Sequence, residues 1–228
     1  MKGFYWNSRG LSDLAKYSYI SEAMRDHNLD FVAVMETGKQ DMSRANLNRL
    51  SGGADFIWHC LPPRGRSGGI LLGVNSLILD LSLIVEGEFF IKFHLRNRQD
   101  DFKWILMAVY GQHRWILNQP FCLSLFAPVN RRHNKEKNKD NFNPRWSFQF
   151  NAVMDSFDLR EIELTGRQFT WANSLTDPTY EKLNRVLMTI EWELKYPLVT
   201  VHALDTGVSD HTPLPLETGD PAFSGHPK

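Results

Sequence analysis

The order of apolar and polar residues predicts that the chain opens with a β-α-β unit. Residues 2–6 form a predicted strand that ends in a turn-forming sequence. Ser12 is a predicted helix N-cap with Asp13 in the first turn, and apolar residues at helical spacing extend the helix to about Asn28. The continuous apolar run Phe31–Met35 is typical of a strand that is covered on both faces.

Short apolar segments dominate the rest of the chain. After a second predicted helix at 41–50, predicted strands follow at 55–61, 69–74, 79–85, 89–95 and 104–110, and later at 168–171, 183–187 and 198–204. A helical stripe interrupts them and consists of Trp146, Phe150, Val153 and Phe157. Many strands after a β-α-β opening favour an α/β fold in which sheets pack on each other and helices lie outside.

Residues 112–143 break this regularity. The first half of the segment is apolar without a period of 2.0 or 3.6, and the second half is almost wholly polar. The Pro/Gly-rich end of the chain carries no periodic pattern either. We therefore expect one domain over residues 1–216, disrupted at 112–143, and a flexible tail over 217–228.

Composition excludes several protein classes. The 228 residues include 26 Lys and Arg against 26 Asp and Glu, so the formal net charge is zero and any nucleic-acid site must be local. Two cysteines without zinc-ligand spacing argue against a disulfide framework and a zinc site, and no phosphate-binding glycine loop occurs. The tryptophans in predicted strands, assigned to packing, include Trp58, Trp104 and Trp171.

No signal peptide and no apolar run long enough to cross a bilayer are visible in the sequence. We therefore expect an intracellular protein, nuclear or cytoplasmic and not secreted, without contact with a membrane.

Polar side chains follow three of the predicted strands. Asn7, Glu36 and the pair Asp210 and His211 each lie at a strand exit, where an α/β core presents functional groups. Taken singly, each is explained by a turn or a solvated strand end and needs no functional role. Together, their oxygen ligands suit Mg²⁺ or Mn²⁺, and a histidine beside such an ion can handle a proton.

Six short motifs occur in a fixed order along the chain. They are W-N-x-R-G at 6–10, M-E-T at 35–37, S-G-G-I-L-L at 67–72, A-V-Y-G at 108–111, G-R-Q-F-T-W-A-N at 166–173 and S-D-H-T-P-L at 209–214. This ordered set resembles the endonuclease/exonuclease/phosphatase superfamily, and most of all the endonuclease domains of plant non-long-terminal-repeat retrotransposons. The resemblance implies a four-layered α/β sandwich, with two packed and mostly antiparallel sheets flanked by helices. It also implies a monomer that hydrolyses phosphodiester bonds of DNA with Mg²⁺ or Mn²⁺.

The resemblance also assigns roles to individual residues. Glu36 matches the metal-binding glutamate, with Asn7 beside it and Asp210 as a further ligand. Asp210 and His211 match the family's catalytic pair, in which a cationic histidine offsets charge on the attacked phosphate. Tyr110 matches the tyrosine that contacts the scissile phosphate.

Two departures from the family pattern touch catalysis. The G-D-x-N motif is absent, and the nearest text, at 127–130, retains only Asn130. Asn184 stands where the family has an aspartate that orients the histidine. We therefore expect a missing core strand within 112–143 and a weakened or lost activity.

Four arginines are candidate DNA contacts. Arg64 and Arg66 precede a Gly-Gly pair, and Arg131 and Arg132 begin the basic run 131–139. A hairpin turn and a solvated loop explain the same charges equally well.

Three readings of function remain open from sequence. The chain hydrolyses phosphodiesters, it binds DNA without turnover, or it is a decayed copy that folds poorly because a strand is missing. A phosphatase of small molecules or inositol phosphates is a further alternative within the same superfamily.

Overall fold

The structure is a computed structural model that describes residues 1–64, 68–110, 122–127 (backbone only), 151–152, 154–173, 175–205 and 207–219. The helices are α1 (Leu14–His27), α2 (Arg44–Ser51) and α3 (Ile190–Lys195). The strands are β1 (Lys2–Asn7), β2 (Phe31–Met35), β3 (Phe56–Leu61), β4 (Ile70–Asn75), β5 (Leu79–Glu86), β6 (Phe90–Asn97), β7 (Lys103–Tyr110), β8 (Cys122–Ala127), β9 (Arg160–Glu161), β10 (Leu164–Thr165), β11 (Trp171–Ala172), β12 (Tyr180–Glu181), β13 (Arg185–Met188), β14 (Thr200–His202) and β15 (Leu214–Glu217).

Two large sheets form the body of the protein. One has the strand order β10-β14-β15-β1-β2-β4-β3, and the other has the order β5-β6-β7-β8-β13-β9. The pairing is parallel between β1 and β2, β7 and β8, and β10 and β14, and antiparallel in the other pairs. The predicted mostly antiparallel sheets are confirmed, and the five strands predicted at 55–110 match β3–β7 within two residues.

Apolar side chains cover both faces of the central strands. Along β2, Phe31, Ala33 and Met35 face the other sheet, whereas Val32 and Val34 face α1 and α2. The strand β7 alternates in the same way, with Leu106 in the core between the sheets. These two-sided burials explain the unbroken apolar runs in the sequence.

A fourth layer covers the outer face of the second sheet. Residues 151–152 and 154–156 are helical, and Met154 and Phe157 pack against apolar side chains of β7 and β13. The remaining members of the predicted helical stripe lie outside the described residues. Helices, two sheets and helices therefore form the α/β sandwich that the sequence predicted.

Both N-terminal helices begin later than the sequence pattern predicts. The N-cap of α1 is Asp13 rather than Ser12, because the Asp13 carboxylate accepts a hydrogen bond from the backbone N–H of Ala15 at 2.9 Å. Similarly, Ser43 caps α2 by accepting from Asn46 N at 3.2 Å.

A strand lies within the segment where the sequence predicts a missing one. β8 pairs in parallel with β7 and antiparallel with β13, so it fills the centre of the second sheet. The predicted loss of a core strand is therefore wrong at Cys122–Ala127. Its apolar side chains lack a visible period because they lead directly into an equally apolar flank, which hides the strand from pattern analysis.

The ordered chain also continues past the predicted domain boundary at residue 216. β15 includes Glu217, and Thr218 is buried, where its hydroxyl accepts from the N-terminal ammonium at 2.8 Å. Glu217 and Thr218 therefore do not belong to a flexible tail, and residues 220–228 of the segment predicted as one lie outside the described residues. No helix in the described ranges has the length and hydropathy needed to span a bilayer.

Truncating Leu72 tests the core between the sheets. Leu72 is fully buried there, so Leu72→Ala should lower the free energy of unfolding by about 2–5 kcal/mol. Leu77 is 65% exposed, so Leu77→Ala should change the free energy of unfolding by less than about 0.5 kcal/mol. Urea denaturation of both variants measures the difference, and equal losses would contradict the assigned core.

Candidate active site

Strand ends from both sheets meet at one edge of the sandwich. Asn7 and Met35 pair at the carboxyl ends of β1 and β2, and Glu36 follows directly. In the second sheet, β7 ends at Tyr110, beside the end of β8 and the start of β13. Asn184 precedes β13, so residues that are far apart in sequence project from the same edge.

The pairing of β1 with β2 continues beyond the two strands. Three backbone hydrogen bonds extend it: Ser8 N to Met35 O (3.0 Å), Gly10 N to Glu36 O (2.6 Å) and Leu11 N to Thr37 O (2.8 Å). Within this extension Arg9 (φ 47°) and Glu36 (φ 51°) adopt left-handed backbone conformations. Such conformations cost about 1–3 kcal/mol for residues other than glycine and are concentrated at functional sites.

Side chains reinforce the two loops. The Asn7 amide donates to Glu36 Oε1 at 2.7 Å, and its oxygen accepts from Arg9 N at 3.1 Å. Lys16, from α1, donates to the backbone carbonyls of Ser8 at 2.5 Å and Gly10 at 3.0 Å. The Glu36 carboxylate and the Arg9 backbone are therefore fixed relative to β1.

The loop that carries Asp210 and His211 is anchored to the same strand. The buried indole of Trp6 donates to His211 O at 3.1 Å. Ser209 Oγ donates to Asn7 O at 3.1 Å and accepts from His211 N at 3.2 Å. The predicted neighbours Asn7, Asp210 and His211 thus lie together.

Two residues that sequence analysis did not select bind Asp210. Its Oδ2 accepts from the guanidinium of Arg9 and from Trp171 Nε1, the latter at 2.8 Å. Besides the packing role that the sequence suggests, Trp171 therefore holds the Asp210 carboxylate. Both residues lie inside the quoted motifs, which was the one signal for them in the sequence.

Hydrogen bonds to Thr170 fix the backbone positions of Asn184 and of the His211 loop relative to each other. Thr170 Oγ1 accepts from Asn184 N at 2.9 Å, and Thr170 O accepts from Thr212 N at 2.8 Å. The Asn184 amide nitrogen lies 3.3 Å from His211 Nδ1. In this amide orientation Nδ1 accepts the hydrogen bond and the ring proton lies on Nε2; the opposite orientation reverses both.

The pKa of His211 is lowered to about 4, chiefly by burial and to a smaller extent by the charge of Arg9, although the charge of Asp210 raises it. The imidazole is therefore neutral at pH 7, whereas the resemblance implies a cation. Asn184, at 3.3 Å from Nδ1, adds no negative charge that would oppose the effect of burial.

Tyr110 and the two glycines of the S-G-G motif form another side of the edge. A Cβ on Gly68 would lie 3.1 Å from the Tyr110 ring, and one on Gly69 would lie 2.5 Å from Thr37 Oγ1. Thr37 N and Gly38 N donate to the carbonyls of these glycines at 3.3 and 3.1 Å. The glycines therefore permit close contact between this loop and the Glu36 loop.

The candidate DNA contacts are only partly described. Arg64 follows β3 at the same edge, where it is paired with Glu88 at 3.2 Å and both side chains are mostly exposed. Arg66, Arg131, Arg132 and Asn130 lie outside the described residues.

Several buried polar atoms at this edge lack hydrogen-bond partners within the described part of the chain. They are Tyr5 Oη, Asn184 Oδ1 and Asp210 Oδ1. In the described ranges no three residues among His, Cys, Asp and Glu converge in the arrangement of a metal centre. The carboxylate oxygens of Glu36 and Asp210, of which Asp210 Oδ1 is buried and unpaired, are nevertheless the type of ligand that a hard divalent cation prefers.

Gly69→Ala tests the contact between the two loops. Because Gly69 has φ 86° and no room for a Cβ, we expect the free energy of unfolding to fall by about 1–3 kcal/mol. Gly207→Ala is the control, since nothing lies within 4 Å of its added Cβ. Equal urea midpoints for the two variants would contradict the described loop contact.

Asn184→Asp tests the electrostatics of His211. A carboxylate beside Nδ1 favours the imidazolium, so the pKa of His211 should rise from about 4 towards its ordinary value. Histidine ring resonances, followed by NMR from pH 3 to 9 in metal-free buffer, measure the change. Asn48→Asp, on exposed α2, is the matched control and should leave the His211 titration unaltered.

Solved structures of other proteins share this architecture. An AP endonuclease from Leishmania major aligns with a TM-score of 0.68 at 15% identity, covering 94% of this chain and 86% of that one. The endonuclease domain of TRAS1, a telomere-specific non-LTR retrotransposon, aligns at 0.64 and 10% identity, covering 94% and 96%. An endonuclease/exonuclease/phosphatase family protein from Bacteroides thetaiotaomicron aligns at 0.56 and 11% identity, covering 95% and 96%.

No protein-family model matches the chain, and no curated protein matches its sequence. Because these three likenesses are between 10% and 15% identical, they show the fold alone, and it is the fold that the six motifs implied. The chain therefore has the fold of the endonuclease/exonuclease/phosphatase superfamily.

Proposed function

We propose that the chain hydrolyses phosphodiester bonds of DNA, with Mg²⁺ or Mn²⁺, at the edge that carries Glu36, Asp210 and His211. The observation that carries this proposal is the anchoring of all three residues to the end of β1, through Asn7 and Trp6. Two carboxylates and a buried histidine that converge on one strand end are residue types from which hydrolytic active sites are built.

Glu36 and Asp210, with the oxygen of Asn7, would hold the cation. When bound, a divalent ion polarises a phosphate oxygen and stabilises the leaving alkoxide. The buried and unpaired Asp210 Oδ1 supports this assignment, because an orphaned carboxylate oxygen is costly unless a ligand or water satisfies it.

His211 would act as a hydrogen-bond donor. With its proton on Nε2, the neutral ring can donate to a phosphate oxygen while Asn184 orients it through Nδ1. Tyr110, at the end of β7, would add a hydroxyl on the other side of the phosphate. A neutral ring stabilises developing negative charge less than an imidazolium does, so we expect slow turnover.

DNA is the proposed substrate. The motifs resemble retrotransposon endonucleases, and the structural neighbours include the TRAS1 endonuclease domain and an AP endonuclease. Arg64 lies at the same edge and would contribute a phosphate contact, with Arg66, Arg131 and Arg132 as further candidates.

A second candidate is a domain that binds DNA without turnover. It is favoured by the neutral His211 and by Asn184 in place of a carboxylate, which together remove the charge expected to stabilise the transition state. No observation among the described residues favours a small-molecule phosphatase over these two candidates.

Nicking of supercoiled plasmid tests the proposal. Purified protein should convert the plasmid to the open-circular form in Mg²⁺ or Mn²⁺ and not in EDTA. Glu36→Ala should abolish nicking, because it removes a proposed metal ligand. Glu22→Ala, an exposed carboxylate on α1, is the matched control and should nick at the wild-type rate.

Nicking that survives in Glu36→Ala would contradict the assigned site and point to a contaminating nuclease. DNA binding that weakens with salt, from protein that melts cooperatively and does not nick, would favour the second candidate.

A further inference from the structure

Arg9 forms the one ion pair that the structure describes for Asp210 within the candidate active site. Its guanidinium contacts Asp210 Oδ2, with the Arg9 side chain 55% exposed and the Asp210 side chain 20% exposed. The second carboxylate oxygen, Oδ1, is buried without a partner among the described residues. One carboxylate oxygen is therefore occupied by this chain's own cation, and the other is unpaired among the described residues.

The backbone around Arg9 directs the side chain to this place. The Arg9 backbone is in the left-handed conformation, and its N–H donates to Asn7 Oδ1. Lys16 donates to the backbone carbonyls of the two neighbouring residues, Ser8 and Gly10. A mobile surface arginine would have none of these constraints. The arrangement therefore fixes the base of a long, exposed side chain at the rim of the site.

Arg9 also lies within electrostatic reach of the other proposed metal ligand. The pKa of Arg9 is raised above its ordinary value, chiefly by the hydrogen bond and charge of Asp210 and further by Glu36 and Tyr110. Its guanidinium is thus a positive charge close to both carboxylates.

We propose that Arg9 competes with the divalent cation for the charge of Asp210, so that the guanidinium on Oδ2 weakens metal binding at the unpaired oxygen Oδ1. This inference rests on the proposed metal-dependent function. Two positive groups beside one carboxylate repel each other, so a cation at Oδ1 is held less tightly while the guanidinium occupies Oδ2. Arg9 therefore weakens metal binding and keeps Asp210 paired in its absence.

Direct measurement of Mn²⁺ affinity tests the competition without relying on activity. Electron paramagnetic resonance follows free Mn²⁺ during titration of wild-type protein, Arg9→Gln and Arg9→Lys. Arg9→Gln should bind Mn²⁺ about tenfold more tightly, since it removes the competing charge, and Arg9→Lys should remain closer to the wild type. Arg25→Gln is the matched control, because Arg25 pairs with Asp26 on the exposed face of α1.

Further variants keep the test decisive. Arg9→Asn accepts the left-handed backbone readily and replaces Arg9→Gln if that variant melts at a lower temperature. Adding Asp210→Asn to Arg9→Gln should abolish the gain in affinity, which locates the metal at Asp210.

The outcomes separate this inference from the proposed function. Equal Mn²⁺ affinity in wild type and Arg9→Gln would overturn the competition and leave the metal-dependent function standing. Absence of Mn²⁺ binding in every variant would overturn both.

Discussion

The parallel pairing of β1 with β2, and its continuation past the strand ends, is the constraint on which the candidate site depends. It aligns Asn7 with Met35 and carries the backbone through Arg9 and Glu36 in left-handed conformations. Parallel neighbours bring their carboxyl ends to the same edge, so residues separated by a whole helix become adjacent. The Asp210 loop then attaches to this edge through Trp6 and Asn7.

Charge at the edge is balanced differently from the pattern that the motifs imply. Asn184 removes one negative charge beside His211, and burial leaves the ring neutral. Asp210 finds its counter-ion in Arg9 rather than in an imidazolium. These two features have a common physical consequence: among the described residues, little unpaired positive charge is left at this edge, and under the proposed function this would weaken stabilisation of a phosphorane.

The parts of the fold that sequence could predict are those in which one physical cause dominates. Phe31–Met35 is buried on both faces, and the unbroken apolar run in the sequence predicts this two-sided burial directly. The N-cap of α1 was misplaced by one residue because Ser12 and Asp13 both favour that position and only backbone geometry decides between them. β8 was missed because tertiary pairing with β7 and β13, rather than local pattern, defines it.

The residues of the candidate site also fall into two groups, those that a sequence pattern can select and those that only the structure reveals. Asn7, Glu36, Asp210 and His211 could be selected because polar residues at strand exits stand out against apolar strands. Arg9 and Trp171 could not, because an arginine in a turn and a tryptophan in a strand are ordinary in sequence and gain their meaning from contact with Asp210. The neutral state of His211 depends on burial, which a sequence does not display.

A crystal structure of the protein grown with Mn²⁺ would test the central claim most directly, by anomalous diffraction at the manganese edge. The account predicts an anomalous peak bounded by the carboxylates of Glu36 and Asp210, on the side of the unpaired Asp210 Oδ1. A peak at a remote acidic site, such as that of Asp80 and Asp101 around Arg96, with none at Glu36, would contradict it.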